Sequence, residues 1–318
     1  GKLKDVYVVD HETIGGEKEY FDGIAEAADK FYGEKETRKT FASKQKQLLD
    51  KVNGLVKKLN KKLQGENDRI QEAADMDDLR LKGELLTANL WRLKDGEECC
   101  TLENYYDENK PIKISLDKNI SPKDNAQKYF KKYQKHKRAL AVILPQREKT
   151  LAEVDYLNSV ALEITSATSI DEFGDVEEEL ISAGLLPAPK YKKKAERESP
   201  YRVYSIEGFT VKCGKNNLQN DRLTSRAFKD DIWLHTKNFH SSHVIIETKG
   251  EGIPDKVIEK AAEICAYYSD GKGGGKVPVD YTCKKHVKKP PAAKPGKVIY
   301  TDYKTCLVYP DVHAELLV

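Results

Sequence analysis

No apolar run in this 318-residue chain approaches the roughly eighteen residues a membrane span needs; the longest candidate, Ala139 to Leu144, is far too short. No secretory signal opens it either, because Gly1-Lys2-Leu3-Lys4-Asp5 is not followed by an apolar stretch. The first residue is not Met, which predicts a piece of a longer protein. The six cysteines (Cys99, Cys100, Cys213, Cys265, Cys283 and Cys306) include no C-x-x-C pair, so a zinc site is not expected. A chain of this size needs no disulfide staples, and reduced thiols in the cytoplasm are the simplest reading. The loop Gly271-Lys272-Gly273-Gly274-Gly275-Lys276 lacks the P-loop pattern and the helix that follows one. No Ser/His/Asp or Cys/His arrangement can be placed. The chain is expected to be no enzyme and to need no cofactor or metal.

What is present is charge, at 34% of residues against 39% hydrophobic, with a formal net of only +3. The near balance hides an asymmetry. Residues 190–318 carry 24 Lys+Arg against 16 Asp+Glu, whereas residues 1–189 carry 31 against 36. A basic C-terminal part on a mildly acidic remainder predicts a polyanionic partner, or else a solvated lysine-rich surface.

Proline is absent from residues 31–86, which read as one long helix. Leu48, Val52, Leu55 and Leu59 make a heptad seam, extended by Leu63 and Ile70, with Lys51, Lys57, Lys58, Lys61 and Lys62 on the wet side. Ser121-Pro122 is a helix start, and residues 121–168 read as a second helix of matching length. Pro145 inside it predicts a kink near residues 141–145. Two such helices predict an antiparallel coiled coil. Residues 87–120 read as a small β-rich domain at its tip, with Asp95-Gly96 as a turn between strands at Leu90–Leu93 and Thr101–Tyr106. Residues 1–30 read as the remnant of an upstream helical region. Residues 169–199 read as a short helix ending at Gly184, then a basic linker through Pro187-Ala188-Pro189-Lys190. Residues 200–318 read as a compact mixed domain, with a hairpin around Glu207-Gly208 and helices at Asn217–Phe228 and Pro254–Tyr268. The expected class is therefore α+β multidomain, a two-helix coiled coil tipped by a small β-rich domain plus a C-terminal α+β domain.

Three asparagines and a lysine crowd one turn at Gly214-Lys215-Asn216-Asn217-Leu218-Gln219-Asn220-Asp221. Asp230-Asp231-Ile232-Trp233-Leu234-His235-Thr236-Lys237 puts an aromatic, an imidazole and an ammonium on one strand. Ser242-His243-Val244, Val279-Asp280-Tyr281-Thr282, His286-Val287-Lys288-Lys289-Pro290 and Ala293-Lys294-Pro295-Gly296 follow. Together they resemble the C-terminal RNA-binding domain of the NFACT family, which includes the bacterial fibronectin-binding-protein-A-like ribosome quality-control factors. The likeness continues upstream. Phe31-Tyr32-Gly33-Glu34-Lys35 resembles that family's entry into its first coiled-coil helix, and Gly83-Glu84-Leu85-Leu86-Thr87-Ala88-Asn89 its entry into the middle domain. Asn125-Ala126-Gln127-Lys128-Tyr129-Phe130 resembles the start of its returning helix. One departure is visible: where the family has Pro-Gly before its Ser-His pair, this chain has His240-Ser241.

The resemblance implies an N-terminal domain lying upstream, binding to large ribosomal subunits still obstructed by peptidyl-tRNA, and contacts with rRNA, ribosomal proteins and tRNA. It implies recruitment of alanyl-tRNA, together with that upstream domain, so that the stalled nascent chain gains a C-terminal alanine tail. The older family name carries an alternative, a surface adhesin with fibronectin as partner. Lys215, Arg222, Arg226, Lys237, Lys288, Lys289 and Lys294 are the candidate phosphate contacts. Trp233 and Tyr281 are candidates to stack on a base, although Trp233 suits a core better. Asn216, Asn217 and Asn220 either touch the ligand or build their own turn. His235 and His243 are taken as hydrogen-bonding groups in or beside an RNA surface; with His240 they lack the carboxylate or thiolate a metal site would add.

Overall fold

The structure, a computed structural model, describes residues 5–7, 18–188, 200–291 and 293–318. Much of the expected upstream remnant, residues 1–4 and 8–17, falls outside the described residues, and so do the linker lysines at 190–194. The fold is α+β and divides into two compact units, residues 56–155 and residues 1–55 with 156–318. Helix α1 (Ile24–Glu72) and helix α3 (Pro122–Ser166) each contribute to both. Among the described residues no helix is long and apolar enough to cross a membrane.

In the unit of residues 56–155, α1 ends at Glu72 and a separate helix α2 (Met76–Ala88) follows. The single helix expected over 31–86 is thus broken. Asp75 occupies the position before α2, and Asp77 and Asp78 sit in its first turn, where carboxylates favour a helix start. Leu90–Leu93 is not a strand: Leu90–Arg92 forms a 3-10 turn that leaves Trp91 83% exposed. The hairpin is instead β1 (Cys99–Asn104) paired antiparallel with β2 (Lys110–Ser115). Its turn uses Glu108 and Asn109 at positive φ, with the Asn104 side chain accepting from the Tyr106 N–H. Leu85, Leu86, Leu102, Ile114 and Ala126 form a shared core between α2, the hairpin and the start of α3.

The start of α3 is held by its sequence. The Ser121 Oγ accepts from the Asp124 N–H at 3.2 Å. Buried Asn125 donates to the carbonyls of Asp117, Ile120 and Ser121 and accepts from the Asp117 N–H. Helix α3 runs unbroken through Pro145. Arg147 donates to Asn67 at 2.8 Å and Thr150 to Glu66 at 3.3 Å, so within this unit α1 and α3 touch at this level.

In the other unit, Gln45 of α1 donates to the Ile164 carbonyl of α3 at 2.9 Å. Phe41 of α1 packs on Phe173 of helix α4 (Ile170–Ser182), with ring centroids 4.8 Å apart. The same unit holds a six-stranded antiparallel sheet of β3 (Arg202–Ile206), β4 (Phe209–Cys213), β5 (Ile232–Thr236), β6 (Val244–Glu247), β7 (Val277–Cys283) and β10 (Lys304–Val308). Its strand order is β10-β7-β5-β6-β4-β3. A small pair, β8 (Val287–Lys288) and β9 (Ile299–Tyr300), lies in the segment before β10.

Alternation along the strands gives the sheet two dissimilar faces. One packs Tyr204, Val211, Leu234, Val244, Ile246 and Val279 against helix α6 (Asp255–Tyr267). The other packs Trp233 and Ile245 against Leu223 of helix α5 (Asn217–Arg226) and Val287. Each fully buried Leu or Ile in these cores contributes about 1.5–3 kcal/mol. His240 and Ser241, the departure noted above, are fixed to the end of α6: the Asp270 N–H donates to the His240 carbonyl, and Ser242 N–H to that of Tyr268.

Candidate nucleic-acid interface

The amide-rich turn folds inward. Asn216 caps α5, accepting from the Gln219 N–H at 2.8 Å, while the Gln219 side chain accepts from the Lys215 N–H at 3.1 Å. Asn220 accepts from the His243 N–H at 3.0 Å and closes against Gly214, where a Cβ would lie 2.1 Å from its Oδ1. Asn217 donates to Ser159 Oγ at 3.0 Å and to Glu179 Oε1 at 3.2 Å, tying α5 to α3 and α4. All three asparagines are buried. Their side chains build the turn and the joints around it; they do not offer themselves to a ligand from this conformation.

The histidines also point inward. His243 is 1% exposed, with Nδ1 2.7 Å from Thr224 Oγ1. His235 stacks parallel on Trp233 at 5.6 Å, and its Nδ1 donates to the Thr236 carbonyl at 2.8 Å. Trp233 is fully buried, a core residue and not a stacking platform. Loss of hydration pushes the His235 imidazole down to about 4 and that of His243 to about 3. Neither supplies a positive charge to RNA at neutral pH.

An unfolded histidine titrates near 6.5, so below that pH the unfolded chain takes up protons that these two rings refuse. Their contribution to stability is whole above about 6.5 and falls as the pH drops toward 4, by about 1.4 kcal/mol per pH unit for each ring. Glu163 and Glu179 act oppositely: burial raises both, so they favour the fold as pH falls and weaken it as pH rises through their raised values. Imidazole proton NMR checks the histidines directly. Two rings are expected to keep neutral shifts down to pH 5, and a midpoint near 6.5 for every resolved histidine would contradict the burial.

The candidate cations part into two groups. Lys215 is drawn inside, 3.3 Å from Glu172, with its side chain 12% exposed. Lys289 pairs with Asp221. Lys294 lies over the Tyr156 ring at 5.3 Å, and Lys237 over the Tyr303 ring at 5.3 Å. Arg222 is half-buried on α5. These five are engaged within the fold, whereas Arg226, in the last turn of α5, and Lys288, on β8, are exposed.

Further cations, not singled out from the sequence, join the exposed pair. The Lys284 N–H donates to the Asp231 carbonyl at 2.8 Å and the Lys285 N–H to the Lys229 carbonyl at 2.9 Å. These two bonds lock the loop after α5 against the 3-10 turn Lys284–His286, bringing Lys229, Lys284 and Lys285 together. Arg226 precedes that loop and Lys288 follows that turn. Lys237 sits beyond the opposite end of β5, about 17 Å away at the rise of a five-residue strand. The sequence signal for the missed residues was the Lys284-Lys285 pair just before His286-Val287-Lys288. Among the described residues no cluster of three His, Cys, Asp or Glu is arranged to hold a metal ion.

Comparison with known proteins gives this surface a context. Residues 2–199 match the family model of the NFACT N-terminal and middle domains, and residues 200–302 that of the NFACT protein RNA binding domain. The chain is 39% identical over 313 residues to the Rqc2 homolog RqcH of Bacillus subtilis (strain 168), covering 96% of this chain and 54% of that protein. It is 36% identical over 296 residues to the Rqc2 homolog RqcH of Streptococcus pneumoniae serotype 2 (strain D39 / NCTC 7466), covering 92% and 53%. The chain thus spans about half the length of the curated relatives it matches. A solved structure, the C-terminal of the fibronectin/fibrinogen-binding protein from Streptococcus suis, is similar at a TM-score of 0.70 and 31% identity, over 88% of this chain and 100% of that one. With both family models together spanning residues 2–302, the chain belongs to the NFACT family.

Proposed function

We propose that this chain is the RNA-holding and spacing part of a cytoplasmic ribosome quality-control factor. It binds large ribosomal subunits obstructed by peptidyl-tRNA, contacting rRNA and tRNA, and supports recruitment of alanyl-tRNA for C-terminal alanine tailing. The observation that carries this is the cationic set of exposed Arg226, Lys229, Lys285 and Lys288 with half-buried Lys284, inside the segment matched to the RNA binding domain. The likeness to the RqcH proteins supports the choice of ribosomal RNA over other polyanions. In this reading α1 and α3 form an antiparallel coiled coil acting as a spacer, and the hairpin unit touches a second site on the subunit. The ribosome supplies the peptide-bond chemistry, so the chain itself is no enzyme.

Co-sedimentation with purified large subunits at moderate salt tests the proposal. Recovery is expected with subunits carrying peptidyl-tRNA and is expected to fall steeply as salt rises, because each phosphate contact releases counterions. No recovery at any salt would reject it. The Streptococcus suis protein named for fibronectin and fibrinogen favours a second reading, an adhesin. Fractionation of the intact parent protein separates the two: cell-wall exposure supports the adhesin, and co-migration with ribosomes the RNA reading.

A further inference from the structure

The loop after α5 exposes a ring where a core residue would be expected. Phe228 is 79% exposed, whereas Trp233, five residues on in β5, is fully buried and Tyr281 of β7 half-buried. The backbone that carries this ring is tied down. Its N–H donates to Asp231 Oδ2 at 2.8 Å, and its carbonyl accepts from the Asp231 N–H at 3.1 Å. Asp231 is itself buried, with Oδ1 accepting from the Thr248 N–H at 3.0 Å, and its carbonyl accepts from Lys284. Asp231, through its buried carboxylate and its backbone N–H, therefore fixes the backbone of the loop at Phe228.

Cations surround that position in the chain. Arg226 comes two residues before it, Lys229 is next, and the Lys284–Lys285 pair is bonded across from it. Asp230 tempers them, its Oδ1 lying 3.7 Å from Lys285 Nζ. A flat ring without hydrogen-bonding groups, set among ammonium and guanidinium groups, matches the two chemistries of a single-stranded nucleotide: a π face and a phosphate.

We propose that Phe228 is a base-stacking platform for an unpaired RNA base, with Arg226, Lys229, Lys284 and Lys285 holding the flanking phosphates. The inference rests on the RNA-binding reading above and adds one contact to it: the partner is a single-stranded or unstacked segment, not a duplex face. Trp233 and Tyr281 are not the stacking residues.

The test titrates the full 318-residue chain into an oligoribonucleotide of about twelve nucleotides carrying 2-aminopurine, whose fluorescence reports stacking. The wild-type chain is expected to bind with a fluorescence change and to bind a duplex of equal length without one. Phe228→Ala is expected to bind about 5- to 100-fold more weakly and to lose the change. Phe228→Tyr, which keeps the ring, is expected to retain both. Phe228→Ala with wild-type affinity and an unaltered 2-aminopurine response would overturn the stacking role while leaving RNA binding in place. Failure of the wild-type chain to bind either RNA would instead overturn the reading beneath it. Equal loss in Phe228→Tyr and Phe228→Ala would show that the ring is not what matters, and would likewise overturn the inference.

Discussion

Replacing Arg202 with alanine is expected to destabilise the unit that carries the basic surface by about 3–5 kcal/mol. Arg202 begins β3 with only 6% of its side chain exposed, and it meets four groups. One guanidinium nitrogen lies 3.2 Å from Glu172 Oε2 and donates to the Ser166 carbonyl at 3.2 Å; another donates to the Gly214 carbonyl at 3.4 Å. The guanidinium plane centre stands 4.2 Å from the Tyr268 ring. Glu172 is equally enclosed, with 4% of its side chain exposed, and accepts from the hydroxyls of Thr168 and Ser169 at the start of α4.

Removing the cation strands a buried carboxylate, and that stranded charge, more than the lost attraction, sets the size of the effect. Lys215, 3.3 Å from Glu172, offsets part of it, which puts the expectation toward 3 kcal/mol. Urea unfolding measures it. The double variant Arg202→Met with Glu172→Gln is expected to recover part of the loss, since the buried ion pair is then gone while Lys215 loses its carboxylate partner. A single variant as stable as wild type would show that the ion pair is not closed to water.

Gly296→Ala is expected to be nearly as damaging, through geometry in place of charge. Gly296 has φ of +78°, where a side chain is strained, and a Cβ there would lie 2.2 Å from Asn217 Oδ1. The strained backbone costs about 1–3 kcal/mol, and a displaced Asn217 gives up bonds to Ser159 and Glu179 worth about 0.5–1.5 kcal/mol each. Thermal unfolding is expected to show a combined loss of about 2–6 kcal/mol. Asn217→Ala placed in the same chain is expected to relieve the clash but not the backbone strain. The same change at Gly273, which has open space around it, serves as the control. Because the Gly296 N–H also donates to Asp221 on α5, shifting this backbone is expected to loosen the segment that carries Lys288 and to weaken RNA binding. A Gly296→Ala chain with unchanged melting and RNA affinity would refute this account of the joint.

Both positions show where sequence reading reached and where it stopped. Local punctuation was legible. Ser121-Pro122 begins α3, Pro254 precedes α6, and Glu207-Gly208 turns the β3–β4 hairpin with Gly208 at φ of +88°. What escaped depends on partners distant in the chain. Lys215 looks like a free phosphate contact until Glu172, forty-three positions earlier, is folded beside it. The Asn216–Asn220 amides point to α3, β6 and their own turn, none of which their spacing reveals. Phe228 read as the end of a helix that in fact stops at Arg226, so its exposure was hidden. The break at residues 73–75 carries no Gly or Pro, only a run of aspartates after it, a weak signal within an otherwise helical pattern.

The most direct test of the central claim is the salt dependence of RNA affinity, compared between the wild-type chain and Lys285→Ala with Lys288→Ala. The wild type is expected to give a steep linear fall of log K against log salt. The double variant is expected to lose about 0.7–0.9 of that slope per phosphate contact removed. Identical slopes for the two chains, or an affinity indifferent to salt, would contradict a phosphate-binding face at this end of the sheet.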